Sequence, residues 1–67
     1  MTPQMLKRLF LRDRVIKRLR ERYIASEIAE MFRLSSHRQI YGIEANARYW
    51  LKTDIGRKVK ELTDAEV

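Results

Sequence analysis

Apolar residues recur along this chain at spacings of three, four and seven, the pattern of a helix that buries one face. In the first third of the chain the stripe consists of Met5, Leu9, Ile16, Leu19 and Tyr23. Thr2 is a residue type that caps helices well, and Pro3 suits the first helical position, where no amide donor is needed. The pattern therefore predicts a first helix that starts at Pro3 and ends at about Arg22.

A second apolar edge lies on the same predicted helix, beside the main stripe. Leu6 and Phe10 form this edge, and Leu11 stands within the polar face. Apolar residues outside the main stripe of a helix are available to contact another molecule. We therefore expect Leu6, Phe10 and Leu11 to form a surface at which a second copy of the chain docks.

A short second helix is predicted over residues 25–31, where apolar residues recur at four-residue spacing. These apolar residues are Ile24, Ile28 and Phe32. Ser35 and Ser36 then interrupt the pattern. Ser36, followed three places later by Gln39, has the form of a capping box, which predicts that a third helix starts at Ser36.

The chain beyond Ser36 allows two structures. The apolar spacing favours a long third helix to about Lys52, followed by a short fourth helix capped by Asp54. That stripe consists of Ile40, Ile43, Ala47, Trp50 and Leu51. Alternatively, the third helix ends at Asn46 and the β-rich residues after it form a hairpin at about 47–62, the wing of a winged helix-turn-helix.

The length of 67 residues indicates one small domain, and the apolar spacing favours an all-α fold of three or four helices. We expect this domain over residues 1–62, followed by a flexible tail at 63–67. A chain this short buries only about 60% of its extended surface, so a partner or a second copy is expected to help stabilise it.

The composition excludes several classes of function. With no cysteine and one histidine, the chain lacks the ligands for a metal site, and no cofactor is expected. No apolar run approaches the ~20 residues that span a bilayer, so we expect a cytoplasmic protein with no membrane partner. No paired carboxylates, Ser/His/Asp set or glycine-rich phosphate loop is recognisable, so we expect no enzymatic activity.

Positive charge is concentrated in residues 7–22. That segment holds eight Lys/Arg and two Asp/Glu, which accounts for the whole net charge of +6. On the predicted helix the cations opposite the apolar stripe are Lys7, Arg14, Arg18 and Arg22. A basic helical face favours a polyanion, and we expect these four residues to contact DNA phosphates.

The segment from Arg20 to Ile43 carries the pattern of two helices joined by a turn. The small residue Ala29 stands midway in the first of them, Phe32 follows three places later, and Leu34 closes the turn. In these features the segment resembles the helix-turn-helix of bacterial and phage DNA-binding regulators. A small side chain at the contact allows the two helices to cross closely, and the apolar residues fix their angle.

Two features depart from the family pattern. Arg33 occupies the turn position that the family usually gives to glycine. The buried positions of the second helix would fall at Gln39 and Gly42, whereas the apolar residues are Ile40 and Ile43, one place later. A single extra residue in the turn accounts for this displacement, so we expect a lengthened turn.

The resemblance implies sequence-specific binding of double-stranded DNA, with the helix that starts at Ser36 in the major groove. The candidate base contacts are Ser36, His37, Arg38, Gln39 and Tyr41. Further candidate phosphate contacts are Ser35, Arg48, Lys52, Arg57 and Lys58. We expect a nucleoid-associated transcription regulator of the phage or plasmid type that acts as a homodimer or cooperative oligomer.

Three other functions stay open at this point. An excisionase-like architectural factor would use the wing at 47–62 on the DNA backbone or minor groove. A phage-type interaction module or inhibitor would dock its basic helix on an acidic protein, with Leu6, Phe10 and Leu11 as the apolar anchor. An RNA binder would use the arginine-rich helix.

Overall fold

Four α-helices make up the fold, and the computed structural model describes residues 1–66 of the chain. In chain order they are α1 (Pro3–Leu19), α2 (Ala25–Met31), α3 (Arg38–Trp50) and α4 (Asp54–Ala65). No strand occurs among residues 1–66, so the all-α prediction is confirmed. The alternative hairpin at 47–62 is wrong, because the helical spacing of the apolar residues outweighs the β propensity of the aromatic ones near the end of α3.

The start of α1 follows the prediction, and its end comes earlier. Thr2 Oγ1 accepts a hydrogen bond from the Met5 amide at 3.2 Å. At the other end, the carbonyl oxygen of Leu19 accepts hydrogen bonds from the amides of Arg22 and Tyr23, which closes the helix. Arg22 therefore lies in the following loop and does not continue the basic face of α1 as predicted.

The junction between α3 and α4 depends on Thr53. Its hydroxyl donates to the carbonyl oxygen of Trp50 at 2.7 Å and accepts from the Gly56 amide at 3.0 Å. Thr53 is thus the N-cap of α4, and Asp54, which was predicted as the cap, is the first helical residue. The extended backbone of Thr53, with φ −101° and ψ 154°, directs its hydroxyl at the first turn of α4.

Helix α4 continues further than the sequence pattern indicates. It ends at Ala65, and Thr63 within it is buried and donates its hydroxyl proton to the Val59 carbonyl oxygen at 2.8 Å. The predicted flexible tail is therefore wrong for residues 63–65, because a threonine whose hydroxyl is satisfied by its own helix can enter the core. Val67, the last residue of that predicted tail, lies outside the described residues.

Two apolar clusters along α1 form the core. The cluster at the N-terminal half of α1 contains Leu6, Leu9, Phe10, Ala47 and Val59. The cluster at its C-terminal half contains Ile16, Ala25, Ile28, Ala29 and Ile40. Ile43 of α3 packs against both clusters, so α1 and α3 together join the two ends of the core.

The buried face of α1 is rotated from the predicted stripe. Leu6 and Phe10 are 0% and 2% exposed, whereas Met5 and Tyr23 are 52% and 38% exposed. The reason is that α1 packs against α4 as well as α3, which draws the edge with Leu6 and Phe10 into the core. The predicted dimer surface is therefore wrong at these two residues, and Leu11 lies half-buried on the outer side of α1.

The two glycines have opposite surroundings, which gives a stability test. A Cβ on Gly56 would lie 1.7 Å from the carbonyl oxygen of Trp50, whereas a Cβ on Gly42 would meet nothing within 4 Å. We expect Gly56→Ala to lower the free energy of unfolding by at least about 1–3 kcal/mol, because backbone atoms must move. Gly42→Ala is the control and should raise it by up to about 1 kcal/mol. Thermal unfolding measures both, and a similar change in the two variants would contradict this packing.

Candidate nucleic-acid interface

The turn between α2 and α3 begins with a Schellman motif. The Leu34 amide donates to the Ala29 carbonyl oxygen at 2.8 Å, and the Arg33 amide donates to the Glu30 carbonyl oxygen at 3.0 Å. Arg33 has a φ of 57°, in the left-handed region that favours glycine. The backbone thus has a glycine-type conformation at the position where the family pattern places glycine, although the side chain is an arginine.

The third helix starts two residues later than predicted. Helix α3 begins at Arg38 with His37 as its N-cap, and Ser36 Oγ accepts a hydrogen bond from the Arg38 amide at 3.2 Å. Gln39 Oε1 accepts from the Ser35 amide at 3.1 Å. Both side chains act at the start of the helix, but the predicted reciprocal pair of Ser36 and Gln39 does not form, because His37 separates Ser36 from the helix.

The orientation of α3 agrees with the one-place displacement seen in the sequence. Ile40 is fully buried and Ile43 is half-buried, whereas Gln39 and Gly42 are exposed. Residues 32–37 separate α2 from α3, so the connection is longer than a minimal turn. The longer connection places the two isoleucines towards the core.

The outer face of α3 is exposed along the helix. Its residues are Arg38, Tyr41, Gly42, Ala45, Arg48 and Tyr49. Gly42 and Ala45 are the small residues near its middle, and Arg38 and Arg48 lie towards its two ends. Neither arginine pairs with a carboxylate in the part of the chain that the structure describes. This face therefore combines uncompensated positive charge with space for the helix backbone to approach another molecule closely.

Tyr41 on this face has neighbours from two helices. The His37 ring lies edge-on with its centroid 6.1 Å away, and the Arg20 guanidinium lies 5.3 Å from the centre of the Tyr41 ring. Arg20 also forms an ion pair with Glu44 at 2.5 Å. Sequence reasoning missed Arg20, because only the tertiary structure brings the end of α1 to α3. The His37–Tyr41 contact follows from their spacing of four residues.

The candidate base contacts differ in how available they are. His37, Arg38 and Tyr41 lie together, exposed, at the start of α3. Gln39 is exposed, but its carbonyl oxygen already accepts a backbone hydrogen bond. Ser36 is half-buried, and its hydroxyl oxygen already accepts from the helix. Arg38 is thus the candidate with the largest unused hydrogen-bonding capacity.

Three residues of the outer face of α3, which are Gly42, Ala45 and Tyr49, were not among the predicted base or phosphate contacts. The helical period offered a signal, because residues four, seven and eleven places after Arg38 share its face. Among the predicted phosphate contacts, Ser35 is exposed just before α3 and Arg48 is exposed on α3 itself.

Several cations of α1 are already paired within the chain. These pairs are Lys7 with Glu66, Arg14 with Asp64, and Lys17 with Asp13. Two of the predicted phosphate contacts, Lys7 and Arg14, are therefore engaged by the C-terminal end of α4. Arg18 has no carboxylate partner among residues 1–66.

The predicted phosphate contacts around α4 divide in the same way. Arg57 forms an ion pair with Asp54 within the first turn of the helix. Lys52 and Lys58 are exposed, and neither pairs with a carboxylate of residues 1–66. These two lysines therefore keep their full charge available for an external anion.

A charge cluster between α1 and α4 is largely compensated internally. Lys60 pairs with Asp64 at 2.7 Å, and its pKa is lowered by burial first and then by repulsion from Arg14 and Lys17. Asp13, Arg14, Lys17 and Lys60 line one cavity between α1 and α4. Asp13 is only 5% exposed, and its negative charge partly offsets the lowering of the Lys60 pKa. The cluster holds α1 to α4 and does not extend to the outer face of α3.

Arg18 lies on the side of α1 that is not packed against α3. Leu9 and Ile16 of α1 pack in clusters with α3, and Arg20 reaches Glu44 on the same side. The residues about half a turn away on α1 are Arg8, Leu11, Val15 and Arg18. The structure therefore does not bring Arg18 to the surface that carries the candidate base contacts.

Comparisons with protein-family models, with curated proteins and with solved structures give no match to this chain. Within residues 1–66, no helix has both the length and the apolar character needed to cross a bilayer. The same residues contain no group of three or more His, Asp or Glu side chains placed to hold a metal ion.

The left-handed conformation of Arg33 gives a test of the turn. We expect Arg33→Gly to raise the free energy of unfolding by up to about 1 kcal/mol, because glycine adopts this φ without a clash at Cβ. Arg33→Ala removes the same charge but keeps the Cβ, so it should change stability little. Urea unfolding of the three proteins measures the effect. A glycine variant less stable than the alanine variant would show that the turn has a different backbone conformation.

Proposed function

We propose that this chain is a sequence-specific double-stranded DNA-binding protein that inserts α3 into the major groove and regulates transcription. The observation that carries the proposal is the exposed outer face of α3, with small residues near its middle and uncompensated arginines towards its ends. The major groove, about 12 Å wide, admits an α-helix. Small side chains on the inserted face let the helix approach the base edges.

The connection between α2 and α3 supports the same proposal. Ala29 is buried where the two helices meet, and Arg33 adopts the left-handed backbone that the helix-turn-helix resemblance requires. In such units the first turns of the second helix face the bases. Arg38 stands there, and its guanidinium can donate two hydrogen bonds to O6 and N7 of a guanine.

A second set of residues would attract DNA of any sequence through its phosphates. Arg48, Lys52 and Lys58 are exposed without carboxylate partners in residues 1–66, and we assign them to phosphates. One α3 offers few base contacts, so we propose that copies occupy neighbouring sites on the DNA. Helices occupy the residues of the expected wing, so the hairpin that an excisionase-like role would use is not formed.

Replacement of Arg38 tests the recognition role. We expect Arg38→Ala to weaken binding to the duplex that the original protein prefers by about 1–3 kcal/mol, because it removes a base contact. The preference at one base pair should also relax. Selection from a random duplex library at two salt concentrations measures affinity, preference and salt slope together.

The matched control for this test is Arg8→Ala, which removes the same charge from the outer face of α1. It should keep the base preference of the original protein. Unchanged preference in Arg38→Ala would refute the assignment of α3 as the recognition helix. A structured RNA that competes better than duplex DNA would refute the DNA assignment itself.

Gly42 allows a second test that separates binding from folding. We expect Gly42→Leu to keep the fold, because the position is open and leucine is a good helix former. If α3 lies in the groove, the larger side chain should weaken duplex binding by at least about 1 kcal/mol through steric exclusion. Calorimetric melting and duplex titration give the two readouts. Unchanged affinity would place the DNA on another surface.

A further inference from the structure

An apolar groove lies along the exposed side of α1, next to Phe32 at the end of α2. This groove is shallow and open to solvent, has a volume of about 240 Å³, and is lined by Arg8, Leu11, Arg12, Val15 and Phe32. Val15 is exposed, while Leu11 and Phe32 are half-buried. The volume is below the roughly 300–1,000 Å³ of a small-molecule pocket, so the groove suits one or two side chains of a docking protein segment.

The groove has a positive rim that the chain does not neutralise. Arg8 and Arg12 border the apolar floor. Neither arginine pairs with a carboxylate among residues 1–66. The other cations of α1 that do pair are Lys7, Arg14 and Lys17. The carboxylates that pair with cations of α1, which are Asp13, Asp64 and Glu66, therefore lie at its other edges, and this edge stays complementary to an external acid.

We propose that this groove binds an acidic amphipathic helix of a partner protein. One apolar side chain of that helix occupies the floor formed by Leu11, Val15 and Phe32. Aspartate or glutamate residues one turn before and after it pair with Arg8 and Arg12. Apolar contact at the centre with charge pairs at the rim is the usual anatomy of a specific protein interface.

The surroundings of the groove favour this occupant over two others. A second copy docked symmetrically would bring its own Arg8 and Arg12 against those of the first, and like charges disfavour that contact. A nucleic-acid backbone would satisfy the arginines but would leave the apolar floor without a matching surface. Arg12 also lines a depression with Gln39, Gly42 and Asn46 of α3, so the groove adjoins one edge of the outer face of α3. The floor of the groove consists of Leu11, Val15 and Phe32, none of which is assigned to DNA, so the inference does not depend on DNA binding.

The probe for this proposal is a synthetic acidic helical peptide of about 18 residues, with leucines at every third or fourth position and glutamates beside them. Two control peptides separate the contribution of the negative charge from that of the apolar contact. One replaces every glutamate by lysine, and the other replaces every leucine by serine. Each peptide is titrated into the isotope-labelled full chain, and backbone amide shifts are followed by NMR. We expect the acidic, leucine-containing peptide to bind with a Kd below about 1 mM and to shift amides of residues 8–18 and Phe32.

Protein variants then assign the contacts. Val15→Ser removes an exposed part of the floor, and Arg8→Gln with Arg12→Gln removes the rim charge. Each variant should bind the acidic, leucine-containing peptide about tenfold or more weakly than the original protein does. The matched control is Arg48→Gln with Lys58→Gln, which removes two charges from other helices and should leave the affinity within about twofold.

Several results would overturn the proposal. The first is that the serine peptide binds as tightly as the leucine peptide. The second is that the amide shifts are confined to α3 or α4, and the third is that no amide shifts at millimolar peptide. Concentration-dependent shifts of the α1 amides without peptide would instead identify a second copy as the occupant. Equal shifts of those amides by a random-sequence duplex would identify a general polyanion surface.

Discussion

The packing of one face of α1 against both α3 and α4 is the constraint on which the rest of the structure depends. A chain of 67 residues has little apolar surface to bury, and here the core is divided between two clusters along a single helix. Leu6 and Phe10 serve the α4 side, while Ile16 serves α2 and α3. Because one face of α1 is buried against its neighbours, its opposite face is exposed to solvent. Helix α3 likewise exposes the side that is not packed in the core.

Electrostatics follows from the same arrangement. The carboxylates of Asp64 and Glu66 on the last part of the chain meet cations of α1, and Glu44 of α3 meets Arg20. The net charge of +6 is therefore not spread evenly over the surface. It is compensated along the helix contacts and uncompensated on two faces. One is the outer face of α3, for which we propose DNA as the partner, and the other is the groove on α1, for which we propose an acidic protein partner.

Local features of the fold were largely predictable. The cap at Thr2, the bounds of α2 and the inward register of Ile40 all follow from residue types and spacings within one or two helical turns. The predictions that were wrong concern places where two local arrangements of the chain are about equally favourable. Thr53 and Asp54 are both good caps, and only the carbonyl of Trp50, which Thr53 also reaches, distinguishes them. Likewise, both apolar edges of α1 have helical spacing, so periodicity alone does not say which of them is buried.

The candidate site was predicted in part. Residue types and spacing identified the segment after Ser36, the exposure of Arg38 and the need for a lengthened turn, because these depend on contacts between near neighbours. The stacking of Arg20 on Tyr41 and the pairing of Arg14 with Asp64 join residues distant in the chain, which no spacing rule connects. The sequence by itself thus determined the first two helices and an excess of positive charge, and its apolar spacing favoured helices over a hairpin after Ser36. Only the tertiary structure decided which face of α1 is buried and which arginines keep their charge uncompensated, because both depend on which helices lie side by side.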